Sequence, residues 1–107
     1  MSYNEIKAFI HRNRIADVVH ALHAAGFSEL SIVDVRSTLK ALDTLEQSYS
    51  AEIGEKVIKE VKVELVCEDG DETFLATKII NEQAKTGQDV AGYIYIVPHV
   101  TRMKISG

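Results

Sequence analysis

In each half of the chain, two stretches with the hydrophobic period of a strand flank one with a helical period. Residues 6–10 alternate between apolar and more polar side chains, as in a strand with two unlike faces. Helical spacing follows from Ile15 to Ala25, and Gly26 stands where a left-handed residue closes a helix. A second alternating stretch, Leu30 to Arg36, completes a strand, helix, strand unit.

The second half of the chain repeats this order. Val57 to Leu65 alternate between apolar and mostly charged side chains and form the clearest strand of the sequence. The turn Glu68 to Asp71 leads into a second helix, which Thr86 and Gly87 end. The apolar stripe predicted for this helix consists of Leu75, Ala76, Ile79, Ile80 and Gln83. The last strand runs from Tyr93 to Val97, where we expect Pro98 to stop it.

Two such units with right-handed crossovers build a four-stranded antiparallel sheet with both helices on one face. We therefore predict one α+β domain over residues 1–107, ferredoxin-like βαββαβ, with a long loop between strands 2 and 3. That loop is Ser37 to Glu55, which fits neither half of the pattern. The other face of the sheet would expose Phe9, Val33 and Ile58, so we expect copies of the same chain to cover it.

Composition narrows the functional classes. The formal net charge of -4 argues against a nucleic-acid partner, because phosphate binding requires a dense basic face. No apolar run is long enough to span a bilayer, and the polar start from Met1 to Glu5 lacks the apolar part of a secretory signal. The single cysteine, Cys67, has no second cysteine for a disulfide and is expected to be a small packed side chain. We expect a cytoplasmic protein.

The chain carries little that is typical of catalysis or of a metal centre. His20 and His23 lie three positions apart on the first predicted helix, a spacing that can hold a metal ion. No acidic residue or cysteine lies at a spacing typical of a third metal ligand. The favoured interpretation is therefore that both histidines are solvated on the face of the helix. No serine elbow and no serine, histidine and acid set is recognisable, and we predict that the protein is not an enzyme.

Several segments in a fixed order resemble the PII signal-transduction proteins. The segments that carry the resemblance are Glu5 to Ile10, Val33 to Arg36, Val61 to Val66, Thr86 and Gly87 with Gly92, and Arg102 to Lys104. The resemblance extends over nearly the whole chain, and Ser37 to Glu55 has the place and approximate length of that family's T-loop. It implies a homotrimer that binds an adenine nucleotide such as ATP or ADP between subunits and docks its loops on target proteins.

The resemblance also implies a set of ligand-binding residues. Ser31 would contact the base with Glu64 nearby, and the backbone of the 86–92 connection, together with two cations of the tail, would hold the phosphates. The candidates are Ser31, Ser37, Lys40, Glu64, Thr86, Gly87, Gly92, Arg102 and Lys104. Each has a plainer interpretation, since tail cations are commonly solvated, glycines commonly serve turns, and strand charges commonly pair across strands.

The sequence departs from the family at the phosphate-binding loop. The family pattern is roughly Thr-Gly, two residues, then Gly-Asp-Gly-Lys, whereas here Val90 takes a glycine position and Tyr93 the lysine position. Both changes should weaken an ATP site, because glycine lets the backbone approach phosphate and lysine supplies charge. At the base of the loop, Ser37 takes the place of a glycine, and Lys40 that of an arginine.

The long loop has features of its own. Apolar spacing predicts a short amphipathic helix over Thr38 to Gln47, and the position of the family's modified tyrosine falls on Ile53. Modification at that tyrosine is therefore not expected. Two functions remain open: a PII-like regulator that senses a nucleotide, and a metal-tolerance-type or structural trimer of the same fold without nucleotide binding.

Overall fold

The structure, a computed structural model, describes residues 2–34 and 60–107. Within these ranges the elements follow one another as strand, helix, strand, strand, helix, strand. They are β1 (Tyr3–His11), a 3-10 turn (Arg12–Arg14), α1 (Ile15–Ala24), β2 (Ser31–Val33), β3 (Glu60–Glu68), α2 (Asp71–Gln83) and β4 (Gly92–Val100). This order confirms the predicted α+β class with the ferredoxin-like βαββαβ arrangement.

The four strands form one antiparallel sheet in the order β2-β3-β1-β4. The longest pairing joins β1 to β3 over the whole length of both strands, from Tyr3 opposite Glu68 to His11 opposite Glu60. Strand β1 is therefore central, and β2 and β4 are the edges. Both crossovers place their helices on the same face of this sheet, where they contact one another.

The core lies between that sheet face and the two helices. Alternate residues of β1 and β3 point into it, as the strand period requires. The completely buried apolar side chains are Ile6, Ala8, Val18, Leu22, Val63, Ala76 and Ile80. Because every one of these elements has a single apolar side, the sheet has one covered and one uncovered face.

The first helix ends as its sequence predicts. Gly26 adopts a positive φ of 98°, and its amide donates to the carbonyl of His23 at 3.0 Å. The amide of Phe27 donates to the carbonyl of Leu22 at 2.9 Å. These two bonds form a Schellman motif, which satisfies carbonyls that the end of the helix leaves without partners.

The prediction that Pro98 stops the last strand is wrong, because β4 continues to Val100. The pairing changes register between Glu5 opposite Val97 and Tyr3 opposite Val100, so one residue of β1 lies opposite two residues of β4. This is a β-bulge, and His99 within it has a φ of 60°. A proline is tolerated at a bulge of an edge strand, since the ladder is already interrupted there.

Other predicted bounds also shift. Strand β2 begins at Ser31 and not at Leu30, and Asp34 already lies beyond it. Residues 35–59 lie outside the described part of the chain, as do the predicted start of the third strand at Val57 and the predicted helix in the long loop. In α2, Leu75 is largely exposed, and Thr73 takes the buried position instead.

Thr73 is buried because its hydroxyl has polar partners inside the core. It donates to the carbonyl of Glu68 at 2.7 Å and lies 3.4 Å from the sulfur of Cys67. The side-chain amide of Asn4 donates to the Thr73 hydroxyl at 3.1 Å and to a carboxylate oxygen of Asp69 at 2.9 Å. A buried polar side chain is tolerated when its hydrogen bonds are made, and this cluster ties the start of β1 to the start of α2.

Cys67 is predicted to be unreactive in the folded protein. Burial raises the pKa of its thiol, and the charge of Glu72 raises it further, although the contact with Thr73 acts in the opposite direction. The thiolate is the reactive form, so alkylation by iodoacetamide at pH 8 should be at least about tenfold slower than in urea-unfolded protein. Mass spectrometry of quenched samples measures both rates, and equal rates would contradict the prediction.

Candidate ligand-binding site

The sheet face that points away from the helices is largely uncovered, and we call it the open face. By register, β1 contributes Phe9 to it and β4 contributes Tyr93 and Tyr95. The two tyrosines are 55% and 52% exposed. The other members on β1 to β4 are Tyr3, Glu5, Lys7, His11, Ser31, Val33, Glu60, Lys62, Glu64, Val66, Glu68, Val97 and Val100.

The open face combines an aromatic group with paired charges. Phe9 and Tyr95 meet edge to face with 5.8 Å between ring centres, and Tyr93 lies 6.3 Å from Tyr95. The ammonium of Lys62 lies 2.8 Å from the carboxylate of Glu64, and Lys7 and Glu5 are 3.6 Å apart. Because of these two pairs, burial of the face would not leave Lys7 or Lys62 as an isolated cation.

A cavity of about 440 Å³ lies where α2 ends and the chain passes into β4, and we call it the connection cavity. Its rim is the whole stretch 84–94, which contains Thr86, Gly87 and Gly92 of the predicted site. Ile80 and Asn81 on the last turn of α2, with Phe9 and Ile10 on β1, complete the lining. Here the predicted phosphate-binding connection surrounds an open space of suitable size for a small ligand.

The two glycines of this connection have structural reasons of their own. Gly87 adopts a positive φ of 87°, and the Thr86 hydroxyl accepts a long hydrogen bond from the Gln88 amide at 3.4 Å. A Cβ atom at Gly92 would lie 2.1 Å from the carbonyl oxygen of Phe9. Glycine at position 92 is therefore required by the close approach of β4 to β1, whether or not a ligand binds.

A second cavity, of about 510 Å³, lies beside β2 and β3, and we call it the sheet-edge cavity. It brings together three of the predicted residues, Ser31, Glu64 and Arg102. Ser31 is the register partner of Glu64, so the hydroxyl and the carboxylate are neighbours on the same face. The carboxylates of Glu5 and Glu29 line the same space.

The two tail cations lie beyond β4 and are exposed. The guanidinium of Arg102 lies 3.8 Å from the Glu29 carboxylate, and both side chains are well solvated. Lys104 follows two residues later and, with Arg102 and Tyr3, borders a shallow hollow at the surface. An exposed pair of this kind contributes little, so Arg102 can exchange Glu29 for an anionic ligand at small cost.

A single chain does not bring the two groups of candidates together. The connection cavity and the sheet-edge cavity have no lining residue in common. Gly92 and Val100 mark the two ends of β4, which at about 3.3 Å per residue lie roughly 26 Å apart. A small ligand that touches both groups must therefore contact two copies of the chain.

The remaining predicted residues are placed as follows. Ser37 and Lys40 lie outside the described residues. His20 and His23 are exposed on α1, and within residues 2–34 and 60–107 no three His, Cys, Asp or Glu side chains are grouped as a metal site would need. In the same ranges, no helix has the length and apolarity to cross a membrane.

Sequence reasoning missed several residues that line the two cavities. Lys85 and Asn81 border the connection cavity, and Glu5 and Glu29 border the sheet-edge cavity. Lys85 comes directly before Thr86 and Gly87, so its position next to the predicted loop was a usable signal. The contribution of β1 through Glu5 depends on strand order, which no local pattern reveals.

Comparison with known proteins bears on the fold. No family model matches this sequence, and no curated protein matches it. A crystal structure of Arabidopsis thaliana PII bound to citrate superposes on this chain with a TM-score of 0.65. The fold is PII-like. The two sequences are 24% identical over an alignment that covers 91% of this chain and 77% of the plant protein.

The Gly92 geometry predicts a loss of stability that is independent of any ligand. In Gly92→Ala the new methyl group would overlap the Phe9 carbonyl, so β4 must shift away from β1. We expect the free energy of unfolding to fall by about 1–3 kcal/mol, the range for forced overpacking. Urea denaturation in the absence of ligand measures it, with Gly107→Ala as the control because its Cβ meets open space. An unchanged midpoint in Gly92→Ala would contradict this explanation of the glycine.

Proposed function

We propose that this chain is a non-catalytic PII-like regulator of the cytoplasm that assembles as a homotrimer and senses a small anionic metabolite, an adenine nucleotide foremost. The ligand would lie between two copies of the chain. The bound state would then be passed to a partner protein through residues 37–55. The observation that carries the proposal is the separation of the candidate residues into two cavities at opposite ends of β4.

The open face supports assembly through the sheet. Tyr93, Tyr95 and Phe9 form a continuous aromatic group there, and Lys62 and Glu64 provide a charge pair beside it. Burying a side chain of this size completely stabilises an interface by about 1.5–3 kcal/mol. A repeated contact of this face around a three-fold axis would cover the aromatic group in every copy.

The charges of the two cavities support the class of ligand. Lys85 at the connection cavity and Arg102 at the sheet-edge cavity offer cations for phosphate. Glu64 at the sheet-edge cavity offers a carboxylate that can accept hydrogen bonds from an amino group. An adenine nucleotide carries phosphates and an exocyclic amine, so it could satisfy groups of both charges at once.

The proposed trimer predicts the effect of a charge placed on the open face. Tyr95→Lys would put an unpaired ammonium into the interface, so the variant should sediment as a monomer at micromolar concentration where the parent is a trimer. Sedimentation equilibrium measures both masses.

Phe74→Lys provides the matched control, because Phe74 is an aromatic residue exposed on α2, away from the open face. This variant should remain a trimer. A monomeric parent, or a trimeric Tyr95→Lys variant, would exclude assembly through this face.

The proposed site predicts that adding a cation tightens ATP binding and that removing one weakens it. Tyr93, unlike Tyr95, lines the connection cavity, so an ammonium at this position can pair with a bound phosphate and does not stay unpaired in the interface. Tyr93→Lys thereby restores the cation of the family pattern and should tighten binding at least about tenfold, because one charge-assisted hydrogen bond contributes about 1.5–3 kcal/mol. Arg102→Ala and Lys85→Ala should each weaken it. Isothermal titration calorimetry of the parent and the three variants decides the matter.

Lys78→Ala is the control for the lost positive charge, since Lys78 is exposed on α2 and lines neither cavity. It should leave ATP affinity unchanged. No gain in Tyr93→Lys together with no loss in Arg102→Ala would show that the cleft is not a nucleotide site. A thermal-shift screen of ATP, ADP, AMP, cyclic nucleotides, bicarbonate and divalent metals would then separate a different ligand from a metal-binding or structural trimer.

A further inference from the structure

A 3-10 turn of three residues, Arg12–Arg14, joins β1 to α1, and we call it the arginine turn. Hydrogen bonds fix its conformation at both ends. The imidazole Nδ1 of His11 accepts from the amide of Asn13 at 3.3 Å, and the amide of Ile15 donates to the carbonyl of Arg12. At about 2 Å of rise per residue the turn spans only about 6 Å, so its two arginines are anchored close together.

The first arginine of the turn holds the end of β2. Arg12 donates through both terminal nitrogens to the two carboxylate oxygens of Asp34, at 2.5 and 2.8 Å. Asp34 directly follows β2 and is the last described residue before the chain enters the 35–59 segment. A two-point contact between guanidinium and carboxylate fixes orientation as well as distance.

The second arginine of the turn holds the end of α2. The Nε atom of Arg14 donates to the carbonyl of Gln83 at 2.9 Å. Gln83 is the last residue of α2, so its carbonyl is one of those that the helix itself leaves without a partner. A terminal nitrogen of Arg14 also lies 2.9 Å from the Asp17 carboxylate, an exposed pair.

Through these two contacts, one short turn touches the exit of β2 and the start of the connection cavity. Gln83 is followed at once by Ala84 and Lys85, which line that cavity. His11, which caps the turn, borders a neighbouring cavity of about 320 Å³ together with Gln88 and Tyr93. The path of contacts from the Gln83 carbonyl to Asp34 therefore consists of two side chains and three backbone residues.

We propose that the arginine turn mechanically couples the connection cavity to the exit of β2, with Arg12 and Arg14 as positioning residues. A change at residues 84–92 shifts the Gln83 carbonyl, the turn follows through Arg14, and Arg12 carries the shift to Asp34. The use of this coupling for ligand sensing rests on the proposed function. The coupling itself is a property of the ligand-free chain and is tested there.

The test is amide hydrogen exchange by NMR on the full chain without ligand. The reporter at one end is the Ala84 amide, which donates to the Ile80 carbonyl at 2.9 Å. Arg12→Lys keeps the charge but loses the two-point contact, and Asp34→Asn loses the carboxylate. Both variants should speed exchange at Ala84 by at least about threefold, a typical scale for coupling between sites.

To test the coupling from the α2 end toward β2, the backbone chemical shifts of Ile32 and Val33 in β2 serve as the reporter. Arg14→Gln removes the contact with Gln83 and should shift both signals, although it leaves the Arg12 and Asp34 side chains in place. Asp17→Asn is the matched control, because it removes an ion pair of the same turn without touching either anchored contact. It should change neither reporter.

A swapped pair separates coupling from a general loss of structure. Arg12→Asp combined with Asp34→Arg restores the ion pair and should return Ala84 exchange toward the parent rate. The proposal is overturned when Arg12→Lys and Asp34→Asn leave Ala84 exchange unchanged, or when Asp17→Asn reproduces their effect.

Addition of ATP distinguishes the coupling from the proposed function. In the parent, ATP should shift the Ile32 and Val33 signals, and in Arg12→Lys this response should be lost while ATP still binds. A response that persists in Arg12→Lys overturns the proposal. Failure of ATP to bind the parent removes the nucleotide from the proposed function, and the exchange measurements without ligand then decide the coupling alone.

Discussion

The pairing of β1 with a strand on each side is the constraint on which the rest of the molecule depends. The inward side chains of β1 at positions 6, 8 and 10 are at most 1% exposed to solvent, so they fix which face of the sheet carries the helices. Once that face is set, the period of two residues sends Phe9 and its neighbours to the other side. The same strand thus determines where the core and the open face lie, and it pairs with β4, at whose two ends the candidate cavities lie.

The sequence predicted the elements that have an unbroken period and failed where polar contacts decide the structure. The helix from Ile15 and its end at Gly26 follow from spacing and from the need for a positive φ, and both are observed. The burial of Thr73 was missed, since it depends on hydrogen bonds to the Glu68 carbonyl and to Asn4, and only the folded chain brings Asn4 near. Local periodicity cannot reveal a partner that is 69 positions away.

The candidate site was accessible from sequence only in part, for a related reason. The connection around Thr86 and Gly87 could be found because its residues are contiguous. The sheet-edge cavity is assembled from β1, β2, β3 and the tail, and in it the Glu29 carboxylate lies near Arg102 although β2 and β4 are opposite edges of the sheet. Gly92 illustrates a residue that resemblance assigned to a ligand and that packing against Phe9 explains equally well.

The bulge at Pro98 and His99 sets the phase of the tail that follows it. Val100 lies opposite Tyr3 and so belongs to the open-face side, whereas uninterrupted alternation from Val97 would have given that side to His99. Arg102 and Lys104 follow Val100 by two and four positions, the period of an extended chain. Regular pairing of the same residues without the bulge would exchange these two cations for Met103 and Ile105 on that side. Whether this edge strand bulges or pairs regularly thus determines whether the tail presents charge or apolar surface beside the sheet.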